Sequence, residues 1–412
     1  MTPQDVRDRL AALRRAGSQL RRRPAVEIHD ALARVLDEWS DPGSRWQQSL
    51  VRELPKATGF APETVRAGLA LALADWNGDA LRGLARSELQ QADARGFDVT
   101  AVLLAGSIPM PSLLALIAPL AVRSPVLAKT ASRDPVTAPL VAQSLAEVDP
   151  LLGACCGVVS LPGHDRAGMD ALLEADCVVA TGSDETLAEI ARRVTPTQRL
   201  VGAGHRLSLA VLGERATRDD PLRQACAGLA QDIAFWDQLG CLSPIAVYVL
   251  GDGAADRVAA ALAAALEDAE ARWPRGSVDA AAAADIARER DGAELRAAAG
   301  ADVQVRTGEA LAWTVVRESD ARTRPAPLHR FVRIHPIRNA SELLAAIDPL
   351  SRHLAGVAVA GFGAAEVEIT RALRTAGASR VCAPGQLQAP PLDWRREGRG
   401  VLAPLLRGTL GT

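Results

Sequence analysis

Lysine is almost missing from this chain. Of its 47 basic residues only Lys56 and Lys129 are lysines; the others are arginines. Where a planar guanidinium has displaced nearly every ammonium, a surviving lysine is a candidate for work that needs a compact point charge. Lys56 reads as a chance surface survivor, which leaves Lys129 as the candidate. Aromatic residues make up only 3% of the chain, too few to outline an apolar tunnel for a substrate. Charge of one sign is not in excess either. The formal net charge is -2, so nothing argues for a nucleic-acid partner, which needs a basic stripe or a high pI. The short run Arg21 to Arg23 reads as a solvated helix end. No apolar run approaches the ~20 residues of a membrane span. The opening Met1-Thr2-Pro3-Gln4-Asp5 lacks the apolar core of a signal peptide, so a cytoplasmic protein is expected.

The six cysteines, Cys155, Cys156, Cys177, Cys226, Cys241 and Cys382, form no CxxC pair. That spacing argues against a disulfide framework, and most should be buried thiols behaving as small hydrophobes. The six histidines are scattered without an HExxH pair, so no metal site is expected. Neither a Walker A sequence nor a GxSxG elbow is present, leaving ATP or GTP chemistry unsupported.

What is present is alternation. The 412 residues suit two α/β domains better than one core. Residues 4 to about 92 carry apolar side chains at helical spacing. From Val99 onward short apolar runs alternate with amphipathic stretches. Strands are expected at Ala101 to Ala105, Pro125 to Lys129, Gly157 to Leu161 and Cys177 to Ala180, with helices between and after them. A second alternating set has strands at Ala246 to Leu250, Leu311 to Val316, Phe331 to Ile334 and Val357 to Ala360. This pattern predicts βαβ units and parallel sheets. The expected organisation is a helical N-terminal region (1–95) packing on the cofactor domain, a cofactor domain (96–235), a catalytic domain (236–385) and a C-terminal extension (386–412).

Two glycine patterns imitate a dinucleotide fingerprint. Gly251-Asp252-Gly253 and Gly361-Phe362-Gly363 each follow a strand and open a helix, but Asp256 and Glu366 stand where the third glycine belongs. A carboxylate there repels phosphate, so both read as ordinary strand-to-helix turns.

The most informative stretch is Gln231 to Pro244, ending in Gln238-Leu239-Gly240-Cys241-Leu242-Ser243-Pro244. A cysteine after glycine, in a loop before a strand, is open enough for its thiolate to reach a carbonyl carbon, although a structural cysteine fits the spacing as well. Together with Leu104-Ala105-Gly106-Ser107-Ile108-Pro109, Ala128 to Pro135, Thr181-Gly182-Ser183-Asp184-Glu185-Thr186, Gly204-His205-Arg206-Leu207-Ser208 and the tail through Pro390-Pro391-Leu392-Asp393-Trp394, this stretch resembles the acyl-CoA reductases of the LuxC type. These are the fatty-acid reductases of bacterial luminescence operons, within the aldehyde dehydrogenase superfamily. The resemblance covers nearly the whole chain.

The resemblance implies an aldehyde dehydrogenase-like α/β fold with a Rossmann-type cofactor domain. It implies that Cys241 attacks a fatty-acyl thioester and that the acyl-cysteine accepts hydride from NADPH to release an aldehyde. A thiolate both attacks a thioester and leaves well. Lys129 would bind the adenine-side ribose or phosphate. Ser132 stands where NAD-preferring relatives carry a ribose-binding glutamate, and Arg133 follows it; together they favour the 2′-phosphate of NADPH. Gly182 and Ser183 would present backbone N–H groups to the pyrophosphate, and Ser183 also suits an ordinary N-cap. His205 stands where oxidising relatives carry a water-activating glutamate, and it would help proton transfer or contact the nicotinamide. Ser107 replaces the usual oxyanion-hole asparagine; losing such a donor costs ~3 kcal/mol.

The sequence leaves two rivals. One is another superfamily chemistry, aldehyde oxidation or acyl-phosphate reduction. The other is a degenerate subunit that scaffolds an acyltransferase or synthetase partner. The expected donor is an acyl-CoA or an acyl carrier protein, and the expected assembly a homo-oligomer.

Overall fold

A computed structural model describes residues 1–89 and 95–408. The chain forms two compact units. The first comprises Met1–Thr58, Ala72–His205 and the segment from Pro391 onward; the second comprises Gly59–Leu71 and Arg206–Pro390.

Five helices come first: α1 (Pro3–Arg22), α2 (Ala25–Ser40), α3 (Arg45–Thr58), α4 (Pro62–Ala72) and α5 (Gly78–Glu88). A capping box starts α1: the Thr2 hydroxyl accepts from the Asp5 N–H, the Asp5 carboxylate accepts from the Thr2 N–H, and Pro3 fills the first helical position. Then follow β1 (Thr100–Leu103), α6 (Pro109–Ala121), β2 (Val126–Lys129), α7 (Thr137–Val148), α8 (Pro150–Ala154), β3 (Cys156–Val159), α9 (Arg166–Leu172), β4 (Cys177–Thr181), α10 (Asp184–Ala191) and β5 (Arg199–Ala203). The strands form one parallel sheet in the order β3-β2-β1-β4-β5. Every residue of β1 and β2 is buried, as required of parallel strands covered on both faces. Val6, Leu10 and Leu13 of α1 share one core with Leu127 and Val178, each fully buried side chain contributing roughly 2 kcal/mol. The chain steps outward from β1 to β3 and then returns to lay β4 beside β1. The strand order therefore reverses between β1 and β4, and open parallel sheets bind ligands at the carboxyl ends of such strands.

The second unit contains β6 (Leu207–Leu212), α11 (Asp219–Ala234), β7 (Pro244–Leu250), α12 (Ala254–Arg272), α13 (Ala280–Ala298), β8 (Gln304–Thr307), β9 (Thr314–Arg317), β10 (Phe331–Ile337), α14 (Ala340–Ile347), β11 (Leu354–Ala360), α15 (Glu366–Thr375) and β12 (Arg380–Cys382). Its seven strands run in the order β12-β11-β6-β7-β10-β9-β8, parallel except where β8 meets β9. Among the described residues no helix is long and apolar enough to cross a membrane.

The α/β class and the alternation match the expectation, with element ends shifted by a few residues. The division of the chain does not match it. The boundary falls at His205/Arg206 rather than near 235, because β6 inserts between β11 and β7 and α11 packs against α12. Residues 59–71 of the N-terminal helical region join the second unit: a Cβ at Gly68 would lie 2.5 Å from the Trp236 ring, and the Thr64 hydroxyl donates to the Pro274 carbonyl. The tail from Pro391 belongs to the first unit. The expected helical pattern at residues 90–92 and the last four residues of the expected extension lie outside the described residues. Both glycine decoys are turns: Gly251, Gly253, Gly361 and Gly363 adopt positive φ directly after β7 and β11.

Candidate active site

The first unit carries one group of expected residues along one sheet edge. β1 ends at Leu103, which pairs with Lys129 at the end of β2 and with Ala180 in β4; Thr181 pairs with Ala203 at the end of β5. Lys129 closes β2, and the four loops that leave these ends hold Ser107, Ser132 with Arg133, Gly182 with Ser183, and His205. Sheet topology thus gathers seven residues scattered over a hundred positions of sequence onto the edge where such sheets bind nucleotides.

Their local states differ. Lys129 is buried, and burial pushes its ammonium below the usual lysine range. An ammonium has three donors; among the described residues that of Lys129 makes one hydrogen bond, to the Thr130 carbonyl at 3.1 Å. The remaining donors suit a ribose hydroxyl or a phosphate oxygen. Ser132 and Arg133 are exposed. Asp134 lies just ahead of α7, its carboxylate accepting from the N–H groups of Val136 and Thr137. Ser183 is the N-cap of α10, accepting from the Thr186 N–H at 3.2 Å. His205 is exposed, and its N–H donates to Asp184 Oδ1 at 3.0 Å. Gly204 allows this approach, since a Cβ there would lie 2.3 Å from that oxygen. Ser107 is buried directly after Gly106, whose φ of 87° turns the chain toward α6. The ammonium of Lys129 and the N-terminus of α10 are donors of the kind that suit phosphate oxygens.

The second unit holds Cys241 in the turn between α11 and β7. Among the described cysteines it is the exposed one. Burial pushes the thiols of Cys155, Cys156, Cys177 and Cys226 up to about 12 and that of Cys382 up to about 11. Those five are poor sources of thiolate at neutral pH.

The backbone leading to Cys241 is strained. Trp236, Asp237 and Gln238 have φ of 56°, 48° and 63°. A second run, Leu328, His329 and Arg330, has φ of 66°, 56° and 64°. For side-chain-bearing residues each left-handed position costs roughly 1–2 kcal/mol, so other interactions must hold them. The guanidinium of Arg330 donates to Asp237 Oδ1 through Nε at 3.1 Å and Nη2 at 2.8 Å, to the Ala234 carbonyl at 3.1 Å and to Glu270 Oε2 at 2.6 Å. The Gly276 N–H donates to Asp237 Oδ2 at 3.0 Å. Breaking one partner out of such a buried pair typically costs ~3–5 kcal/mol. The Trp236 ring meets Phe60 edge to face at 5.8 Å.

Past the strained run, Ser208 Oγ donates to the Cys241 carbonyl at 2.7 Å and accepts from the Gly356 N–H at 3.0 Å. Gln388 Nε2 donates to Ser243 Oγ at 2.8 Å and to the Asp232 carbonyl at 3.1 Å. The sequence names the Gln231–Pro244 stretch and Ser208, but not what holds them. Arg330 and Gln388 lie far away in sequence and carry no local signature. The available signal is the polar residues Asp232, Asp237 and Gln238 among the apolar side chains of that stretch.

A model of the family described as "Acyl-CoA reductase (LuxC)" matches residues 23–407. A long-chain acyl-protein thioester reductase of Aliivibrio fischeri is 26% identical over 253 residues, which cover 60% of this chain and 50% of that protein. Another from Vibrio harveyi is 29% identical over 154 residues, covering 36% of this chain and 31% of that one. The chain spans about half the length of the first of these curated relatives. Among solved structures, aldehyde dehydrogenase 21 from Physcomitrella patens superposes with a TM-score of 0.74 at 15% identity, covering 98% of this chain and 89% of that one. The NADP-dependent glyceraldehyde-3-phosphate dehydrogenase from Bacillus halodurans gives 0.73 at 16% identity, with 98% and 90% covered. The fold is that of the aldehyde dehydrogenases. With a family match that runs through both sheets and every expected site residue, the chain belongs to the acyl-CoA reductase (LuxC) family.

Proposed function

We propose that the protein reduces a fatty-acyl thioester to the corresponding aldehyde with NADPH, through an acyl-cysteine on Cys241. The observation that carries this reading is an exposed cysteine on a loop held by buried hydrogen bonds, in a chain whose other described thiols are pushed out of the reactive range. The Cys241 thiolate attacks the thioester carbonyl carbon. A carbon–sulfur bond to Cys241 forms, the bond to the donor's sulfur breaks, and the departing thiolate takes up a proton. When bound, NADPH supplies the hydride that reduces this acyl group. Collapse of the resulting hemithioacetal releases the aldehyde and returns the electron pair to the Cys241 sulfur. The Cys241 N–H would stabilise the oxyanion in both steps. No glutamate occurs from Val201 to Ser208, so the stretch offers no carboxylate base to activate water against the acyl-cysteine.

Lys129 would bind the adenine-side ribose or phosphate, and Gly182 with Ser183 the pyrophosphate. Ser132 and Arg133 remove a carboxylate and add a cation where a 2′-phosphate would sit, which supports NADPH over NADH. The names of the relatives favour a protein-borne acyl group as donor beside acyl-CoA. Purified protein is mixed with NADPH and acyl groups of graded length, presented on coenzyme A and on a carrier protein, beside Cys241→Ala. NADPH consumption in the parent alone is expected. Silence with every donor, in a folded protein that still binds NADPH, would turn the assignment toward a non-catalytic subunit.

A further inference from the structure

One buried amide closes the loop that carries Cys241. Gln238 lies three residues before the cysteine, and its Nε2 donates at 2.8 Å to the carbonyl of Pro244, three residues after it. The same Nε2 donates to the Phe331 carbonyl at 2.9 Å, and Oε1 accepts from the Phe331 N–H at 2.8 Å. Both ends of residues 238–244 therefore meet at one side chain, which is bonded in turn to the first residue of β10. Only an amide makes all three bonds at once: a carboxylate loses both donors, and an apolar chain of equal length loses everything.

We propose that Gln238 is the positioning residue for Cys241, fixing the loop so that the thiolate meets the thioester carbonyl in attack geometry. This rests on the acyl-cysteine reading above. The placement of strain supports it. Gln238 ends one left-handed run and its partner Phe331 directly follows the other, while the Arg330–Asp237 pair bonds the neighbouring residue on each side. Strain held by buried partners at this spot yields one loop conformation instead of several. Ser208 then holds the Cys241 carbonyl itself.

The test compares the parent with Gln238→Glu and Gln238→Met in single-turnover acylation by an acyl-CoA, without NADPH. The rate of coenzyme A release and the peptide-resolved mass of acylated Cys241 are recorded across pH. Affinity for a thioether analogue of the acyl-CoA and the unfolding midpoint are measured alongside. Displacing reacting groups by about 1 Å costs of order a hundredfold in rate, and both variants are expected to lose about that much while keeping analogue affinity. In Gln238→Glu the rate relative to the parent is expected to recover as pH falls, because the protonated carboxyl regains one donor and keeps an acceptor. Taking the ratio removes the thiolate titration shared by both proteins. Gln238→Met should show no such recovery, and if the carboxyl variant does not fold, its slow acylation in a folded protein carries the test. Folded variants that acylate at the parental rate overturn the proposal alone, as does an equal, pH-independent loss in both. A folded parent that never acylates Cys241 overturns the acyl-cysteine reading as well.

Discussion

At the residue scale, the chemistry concentrates on side chains that depart from the chain's habits. Lys129 keeps an ammonium where almost every other cation is a guanidinium, and it keeps it buried. A desolvated ammonium with one protein acceptor gains from an anionic or hydroxyl ligand more than a solvated one does. Beside it, Ser132 is small and uncharged and Arg133 exposed. If the β2 loop meets the adenine ribose as proposed, a carboxylate at 132 would bond the ribose hydroxyls and repel a 2′-phosphate. Ser132→Glu is therefore expected to lower the ratio of kcat/KM for NADPH over NADH by about tenfold or more, which corresponds to ~1.4 kcal/mol. Steady-state kinetics with both cofactors check this, and an unchanged ratio contradicts the assignment of the β2 loop.

At the element scale, much was legible because the strands are short, apolar and punctuated. β2, β4, β7 and β10 lie within a few residues of their expected positions. The elements that escaped notice have weaker signatures. β8 (Gln304–Thr307) is a polar edge strand, and β6 (Leu207–Leu212) follows the Gly204-His205 turn so closely that it reads as part of the preceding domain. Nor could sequence reveal three left-handed residues in a row, since no glycine marks them. Tertiary bonds from Arg330 hold them, and those bonds span more than ninety residues.

Another long-range device holds the segment after β12. The buried Asp232 carboxylate on α11 accepts the N–H groups of Gly385, Leu387 and Gln388. Burial pushes its pKa from 3.8 up to about 7, against the lowering effect of those N–H groups. The native state thus binds a proton that the unfolded chain has already released. The stabilising contribution of the neutral form is complete below about 3.8 and is lost as pH rises through about 7. Asp232→Asn cannot titrate. The urea midpoint of the parent is expected to fall relative to that of the variant as pH rises from 4 to 7. A gap independent of pH contradicts the neutral carboxyl.

At the scale of the whole molecule, neither unit is a continuous stretch of chain. The first takes three segments and the second takes two. This is why the expected cut near 235 and the observed one at His205/Arg206 differ: periodicity reports elements, whereas domain membership is decided by partners distant in sequence. The tail illustrates it. Glu88 at the end of α5 accepts the N–H groups of Val401, Leu402 and Ala403, and Gly96 pairs with Leu406. A carboxylate receiving three backbone donors anchors the tail to the first unit, and nothing in the local sequence of either partner announces it. The candidate site was more legible than the domains, because family motifs name residues wherever the units divide.

Cys241 is proposed to carry the acyl group between donor and hydride. The direct measurement is intact and peptide mass spectrometry of the protein after mixing with an acyl donor, first without NADPH and then with it. The account predicts one acyl adduct on Cys241 in the first sample and its discharge as aldehyde in the second. An adduct on another residue, or aldehyde formed at the parental rate by Cys241→Ala, would contradict it.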